Sequence, residues 1–148
     1  MSVPARVSLS TLGVADVARA TEFYQAIGWR LSPASVPGEV SFFHTGGSTL
    51  ALFGTKDLAA DAGLPAETPA PAATDFRGTS LAINVESPAE VDEALRTVVQ
   101  AGATLVKAGT ATAWGGYLGY FTDPDGHLWE VTHNPDWPFD DRGLPQLP

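Results

Sequence analysis

The feature that most constrains this chain is a repeat. A β-like run ends at Val14 and an amphipathic helical pattern opens at Asp16; the same junction recurs at Val85 and Ser87. Two copies of one supersecondary unit in a chain of 148 residues leave few architectures open, because each unit must bury the apolar face of its own helix and strands.

In the first copy, Val7 to Val14 reads as a strand, with Ser8, Ser10, Leu12 and Val14 on one face and Val7, Leu9 and Thr11 on the other. Asp16 offers an N-cap. Val17, Ala20, Phe23, Tyr24 and Ile27 recur at helical spacing until Gly28 stops the helix. Three short strands are predicted next, over Trp29–Leu31, Val40–His44 and Thr49–Phe53, which makes a βαβββ module over about residues 7–53. Residues 54–78 are dominated by Ala, Pro, Thr and Asp and read as a surface linker, with room for one short helix from Thr55 to Ala62 before Gly63.

The second copy, about residues 79–134, opens with a strand at Thr79–Val85 whose Leu81, Ile83 and Val85 alternate with Ser80, Ala82 and Asn84. Ser87, Pro88 and Glu90 spell a capping box with proline at the first helical position, Val91, Ala94, Leu95 and Val98 form the apolar stripe, and Gly102 ends the helix. A strand at Ala103–Val106 and a glycine-containing loop through Trp114, Gly115 and Gly116 lead to the stretch FTDPDGHLWEV, Phe121 to Val131. Asp123, Pro124, Asp125 and Gly126 suit a reverse turn, since Pro124 presets φ at the second position and Gly126 permits positive φ. A hairpin is therefore predicted here. The tail after Asn134, residues 135–148, is rich in Pro and Asp and is expected to run over the surface or against a partner subunit.

The hairpin carries the leading site candidate. Period-two alternation separates Leu128, Glu130 and Thr132 from Trp129, Val131 and His133. If Trp129 and Val131 face a core, Glu130 faces whatever lies across the sheet, and a carboxylate there is unfavourable unless it is wet, paired or bound to a cation. On the preceding strand Tyr120 and Phe121 point oppositely, and Tyr120 is assigned to the same side as Glu130. Trp114 and Tyr120 sit in WGGYLGYF, where glycines permit close approach of a flat ligand. Of the three histidines, His127 follows the turn and is expected in solvent, His133 shares the parity of Trp129, and His44 ends a strand with access to a site.

Composition narrows the function. A formal charge of −9 with only 8 basic residues argues against nucleic acid, whose phosphates are met by Lys and Arg. The absence of cysteine excludes thiol nucleophiles and disulfides. No apolar run is long enough for a membrane span and no signal-peptide pattern opens the chain, so a cytoplasmic protein is expected.

The paired βαβββ modules, with LGVADVARATEFYQAIGW in the first and YFTDPDGHLWEV in the second, resemble the vicinal oxygen chelate superfamily, which includes glyoxalase I, extradiol dioxygenases, fosfomycin-modifying enzymes and bleomycin resistance proteins. The resemblance spans about Val7 to Asn134. It implies an α+β fold in which two half-open sheets surround a cavity, forming one domain over residues 1–148, and it implies a homodimer. It also implies a divalent cation held by side chains that fall here on Leu9, Ala51, Ser80 and Glu130. Of these only Glu130 is a competent ligand, because leucine and alanine have no donor atom and a neutral hydroxyl is a poor substitute for imidazole. No cofactor is therefore expected. The expected function is metal-independent binding of a small cationic or planar molecule by Leu9, Thr11, Ala51, Ser80, Asn84, Trp114, Tyr120 and Glu130, with Glu130 also the candidate base. The alternative is a metal-dependent lyase, isomerase or dioxygenase with a non-standard site at Glu130 and His44.

Overall fold

A computed structural model describes residues 2–65 and 67–148; Met1 and Ala66, the latter in the predicted linker, lie outside them. The chain forms two compact units, Met1–Ala70 and Pro71–Pro148. Among the described residues no helix is long and apolar enough to cross a membrane.

In the first unit, β1 (Leu9–Val14) runs parallel to β3 (Thr49–Gly54), and β2 (Val40–Phe43) pairs antiparallel with the other side of β3. Between β1 and β2 lies α1 (Val17–Ala26), whose N-cap Asp16 accepts a hydrogen bond from Arg19 N at 3.1 Å. The helix buries Val17, Ala20, Phe23 and Tyr24, and strand residues Val14, Phe43, Leu50 and Leu52 complete the core. Register resolves the ambiguous first strand: Leu12 is paired with Leu52, on the core-side parity that also includes Val14, while Thr11 is paired with Ala51 on the opposite face. The predicted strand at Trp29–Leu31 is reduced to a single bridge, Leu31 to Phe43. Ser32 N still donates to Phe42 O at 2.7 Å, but Ser35 N turns back onto Ser32 O at once, and Pro33 inside that turn ends the ladder. The predicted short helix forms as α2 (Thr55–Asp61), ending before Gly63.

The second unit is a full βαβββ module: β4 (Leu81–Asn84), α3 (Pro88–Gln100), β5 (Thr104–Ala111), β6 (Tyr117–Thr122) and β7 (Leu128–His133), in sheet order β4-β7-β6-β5. Ser87 caps the helix, its Oγ accepting from Glu90 N at 3.2 Å, while Glu90 Oε2 reaches back one residue beyond the usual capping-box partner and accepts from Glu86 N at 2.7 Å. Val91, Leu95 and Val98 of α3 are buried. They cover the sheet face that carries Phe121, Trp129 and Val131, where Phe121 and Trp129 stack with centroids 6.2 Å apart. Glycine at 119 is needed for close approach, because a Cβ there would lie at the Leu95 side chain and 2.7 Å from Lys107 O.

The predicted turn is present. Asp123 is buried, accepts Gly126 N at 2.9 Å through its carbonyl, and uses Oδ1 to accept from Asp125 N and His127 N at 3.0 and 2.9 Å. Two expectations beside it change. The later part of the predicted linker is not a bare connection: residues 72–77 dock on the hairpin through Arg77, whose NH2 donates to Asp125 O at 2.6 Å and whose NH1 lies 3.0 Å from His127 Nδ1. His127 is accordingly half-buried and partnered rather than in solvent. Since arginine can only donate, the imidazole nitrogen is the acceptor. The second change is in β5, which continues five residues beyond the predicted end at Val106.

Candidate functional site

Cross-strand partners share a face, so the register of the second sheet assigns its two sides. Opposite α3, one row runs Ala82, Glu130, Tyr120, Lys107 across all four strands. One row along lie Asn84, Thr132 and Leu118, and one row the other way Leu128 and Thr122. The period-two reading of β6 and β7 is therefore borne out: Trp129 and Val131 enter the core and Glu130 turns to the other side with Tyr120.

Tyr120 and Glu130 meet directly, the phenol donating to Oε2 at 3.2 Å. That distance is long for O–H···O, so the tie is loose and leaves the carboxylate's other oxygen for a ligand. Burial pushes the Tyr120 hydroxyl above its ordinary pKa, and the charge of Glu130 and the bond to it push the same way, so the group is a proton donor throughout the neutral range.

Lys107 reaches this row because β5 is irregular. Leu105 pairs with Phe121 and Lys107 with Tyr120, so two steps on β5 match one on β6 and Val106 is the extra residue of a bulge. A second register shift lies between Lys107 and Thr110. In an unbroken strand Lys107 would share the parity of Leu105 and face α3. The bulge instead puts it beside Tyr120. The strand prediction stopped at Val106 and missed Lys107; the available signal was Gly109 in a strand-like run, a common mark of a bulge.

Next to this row is a pocket of about 570 Å³ lined by Phe76, Thr79, Ser80, Val106, Lys107, Tyr120 and Leu128, with Gly78 at its edge. Its walls are the end of the docked segment on one side and bulged β5 on the other. Both Val106 and Lys107 line it, which consecutive residues of a regular strand would not do. Arg77, one residue from Phe76, ties this wall to the hairpin turn.

Of the predicted site residues, Ser80 and Tyr120 line the pocket and Glu130 adjoins it through Tyr120. Asn84 lies on the same sheet face, two residues along β4 from Ala82. Trp114 is half exposed in the turn between β5 and β6, and its ring lies against Gly116, where a Cβ would collide with it. Leu9, Thr11 and Ala51 belong to the first unit and share the β1–β3 face turned from its core; Leu9 is exposed and Ala51 buried between Thr11 and Phe42.

The donor set does not fit a divalent ion at the positions the resemblance assigns. Leu9 and Ala51 offer only carbon and Ser80 is an exposed neutral hydroxyl, which leaves Glu130 as a single competent ligand, too few for a divalent ion. His44 is exposed just past β2. Among the described residues no group of three or more His, Asp or Glu side chains is arranged to hold a metal.

A family model, the glyoxalase/bleomycin resistance protein/dioxygenase superfamily, matches residues 6–131. A glyoxalase-related enzyme from Fulvimarina pelagi is 31% identical, with 97% of this chain and 99% of that one covered and a TM-score of 0.83. A glyoxalase/bleomycin resistance protein/dioxygenase from Nocardioides is 26% identical over 92% of this chain and 87% of that one, with a TM-score of 0.73. A lactoylglutathione lyase from Agrobacterium tumefaciens shares the fold at 24% identity, 93% and 100% coverage and a TM-score of 0.67. A search of curated proteins returned no match. The chain belongs to the glyoxalase/bleomycin resistance protein/dioxygenase superfamily.

Proposed function

We propose that the protein binds a small planar molecule without a metal ion, on the face of the second sheet opposite α3. The observation that carries this reading is the pocket beside the Lys107–Tyr120–Glu130 row. It combines aromatic and aliphatic walls, Phe76, Tyr120, Val106 and Leu128, with a few polar groups, the usual composition of a small-molecule site. Tyr120 supplies a ring to stack on and a hydroxyl held in its protonated form. The donor set at the positions the resemblance assigns to a cation supports metal-independent binding.

The test is calorimetric titration of chelator-treated, dialysed protein with planar aromatic compounds, repeated on Tyr120→Leu. Saturable binding that survives metal removal and weakens about tenfold or more on loss of the Tyr120 ring is expected, since a stacked aromatic contact is worth about 1 kcal/mol beyond its buried area. Stoichiometric Zn, Ni, Fe or Mn in untreated protein, lost in Glu130→Ala together with binding, would overturn metal independence and favour the metal-dependent enzyme.

A further inference from the structure

The proposed site was expected to favour cations, given the acidic chain and Glu130. The geometry points to the opposite for one part of the ligand: we infer that Lys107 anchors an anionic substituent, so that the ligand class is an aromatic or conjugated carboxylate. This rests on the binding reading above and specifies its chemistry.

Three observations converge on Lys107. Register shifts flank it on both sides, and the first of them turns its side chain from the α3 face to the pocket face. Bulges re-aim side chains at sites at the expense of ladder hydrogen bonds, so a strand interrupted twice within eight residues is specialised rather than regular. Next, the lysine is the cationic member of the pocket lining, which otherwise supplies hydroxyls from Thr79, Ser80 and Tyr120 and apolar surface. Finally, Glu130 is already engaged by the Tyr120 hydroxyl, and no ion pair to Lys107 is found among the described residues. An ammonium and two aliphatic hydroxyls around an apolar slot are donors for a carboxylate whose ring lies against Tyr120 and Phe76, the one phenol hydrogen being given to Glu130. Lysines and bulges also serve to keep edge strands from associating; that role alone would leave naphthoate affinity unchanged in Lys107→Met.

The experiment compares three probes of one shape, 2-naphthoate, 2-naphthamide and 2-naphthylmethylammonium, by calorimetry on the full chain and on Lys107→Met and Lys107→Arg. Naphthoate is expected to bind about tenfold more tightly than naphthamide, as befits one charge-assisted contact at a partly wet site, and the ammonium most weakly. Lys107→Met should abolish the difference between naphthoate and naphthamide, lowering naphthoate far more than naphthamide, and Lys107→Arg should retain most of the difference. Lys107 is exposed, and circular dichroism of both variants verifies that they fold. If naphthamide or the ammonium binds as well as naphthoate, in a manner sensitive to Tyr120→Leu, the anionic assignment falls while the planar-ligand reading stands. Equal losses of naphthoate and naphthamide in Lys107→Met, or aggregation with unchanged naphthoate affinity, also overturn it. If none of the three probes binds, both readings fall.

Discussion

Tyr120 and Glu130 show how much chemistry one hydrogen bond carries. Burial of the phenol holds Tyr120 above its ordinary value, and the second negative charge that ionisation would place beside the carboxylate adds to the shift. The resulting stability is fully present below about pH 10, the unfolded tyrosine value, and is lost as pH rises through the raised native value. Ultraviolet titration at the phenolate band is expected to show one tyrosine ionising at lower pH in Glu130→Gln than in the parent protein, because the charge leaves while burial remains; Tyr117 stays raised, since its own bond to Asp92 at 2.9 Å is untouched. An unchanged titration curve in Glu130→Gln would mean that burial alone sets Tyr120. At this scale the sequence discloses Tyr120 and Glu130 because both lie on regular strands where alternation holds. It conceals Lys107, because a bulge breaks alternation at the position where the side chain is re-aimed.

Among the elements, the β6–β7 hairpin and the segment docked on it act together. Gly126 adopts φ +86°, and a Cβ at that position would run into the backbone of Ala73. Gly126→Ala therefore meets two costs: the left-handed conformation alone is worth roughly 1–2 kcal/mol, and relief of the collision requires residues 72–77 to lift. Hydrogen exchange should quicken across 71–78 in this variant with β6 and β7 still protected; exchange confined to the turn would show that the segment is held independently of Gly126. Removing the cap of α3 by Ser87→Ala should cost about 1 kcal/mol in urea denaturation, whereas no change would assign the cap to Glu90 alone. The turn and both caps are legible in the sequence because each is made within a few residues. The docking of Arg77 is not, because its partners lie 48 and 50 residues away.

For the whole molecule, 17 acidic against 8 basic residues imply self-repulsion in the native state. Raising sodium chloride from about 20 to about 200 mM shortens the screening length roughly threefold and should raise the melting temperature; a fall would show that local attractions outweigh the net charge. The same repulsion makes a carboxylate ligand depend on Lys107 at short range rather than on the field of the molecule. By itself the sequence determined the repeated module, its helices with their caps, the hairpin, and the side of the sheet on which Glu130 and Tyr120 emerge, since all of these follow from local periodicity and turn chemistry. Tertiary structure alone decided that Trp29–Leu31 stops at one bridge, that Arg77 straps the linker's end to the hairpin, and that Lys107 joins Tyr120 beside a pocket. Those outcomes depend on register and on contacts between distant residues, which are set by how the strands and the segment over them pack together.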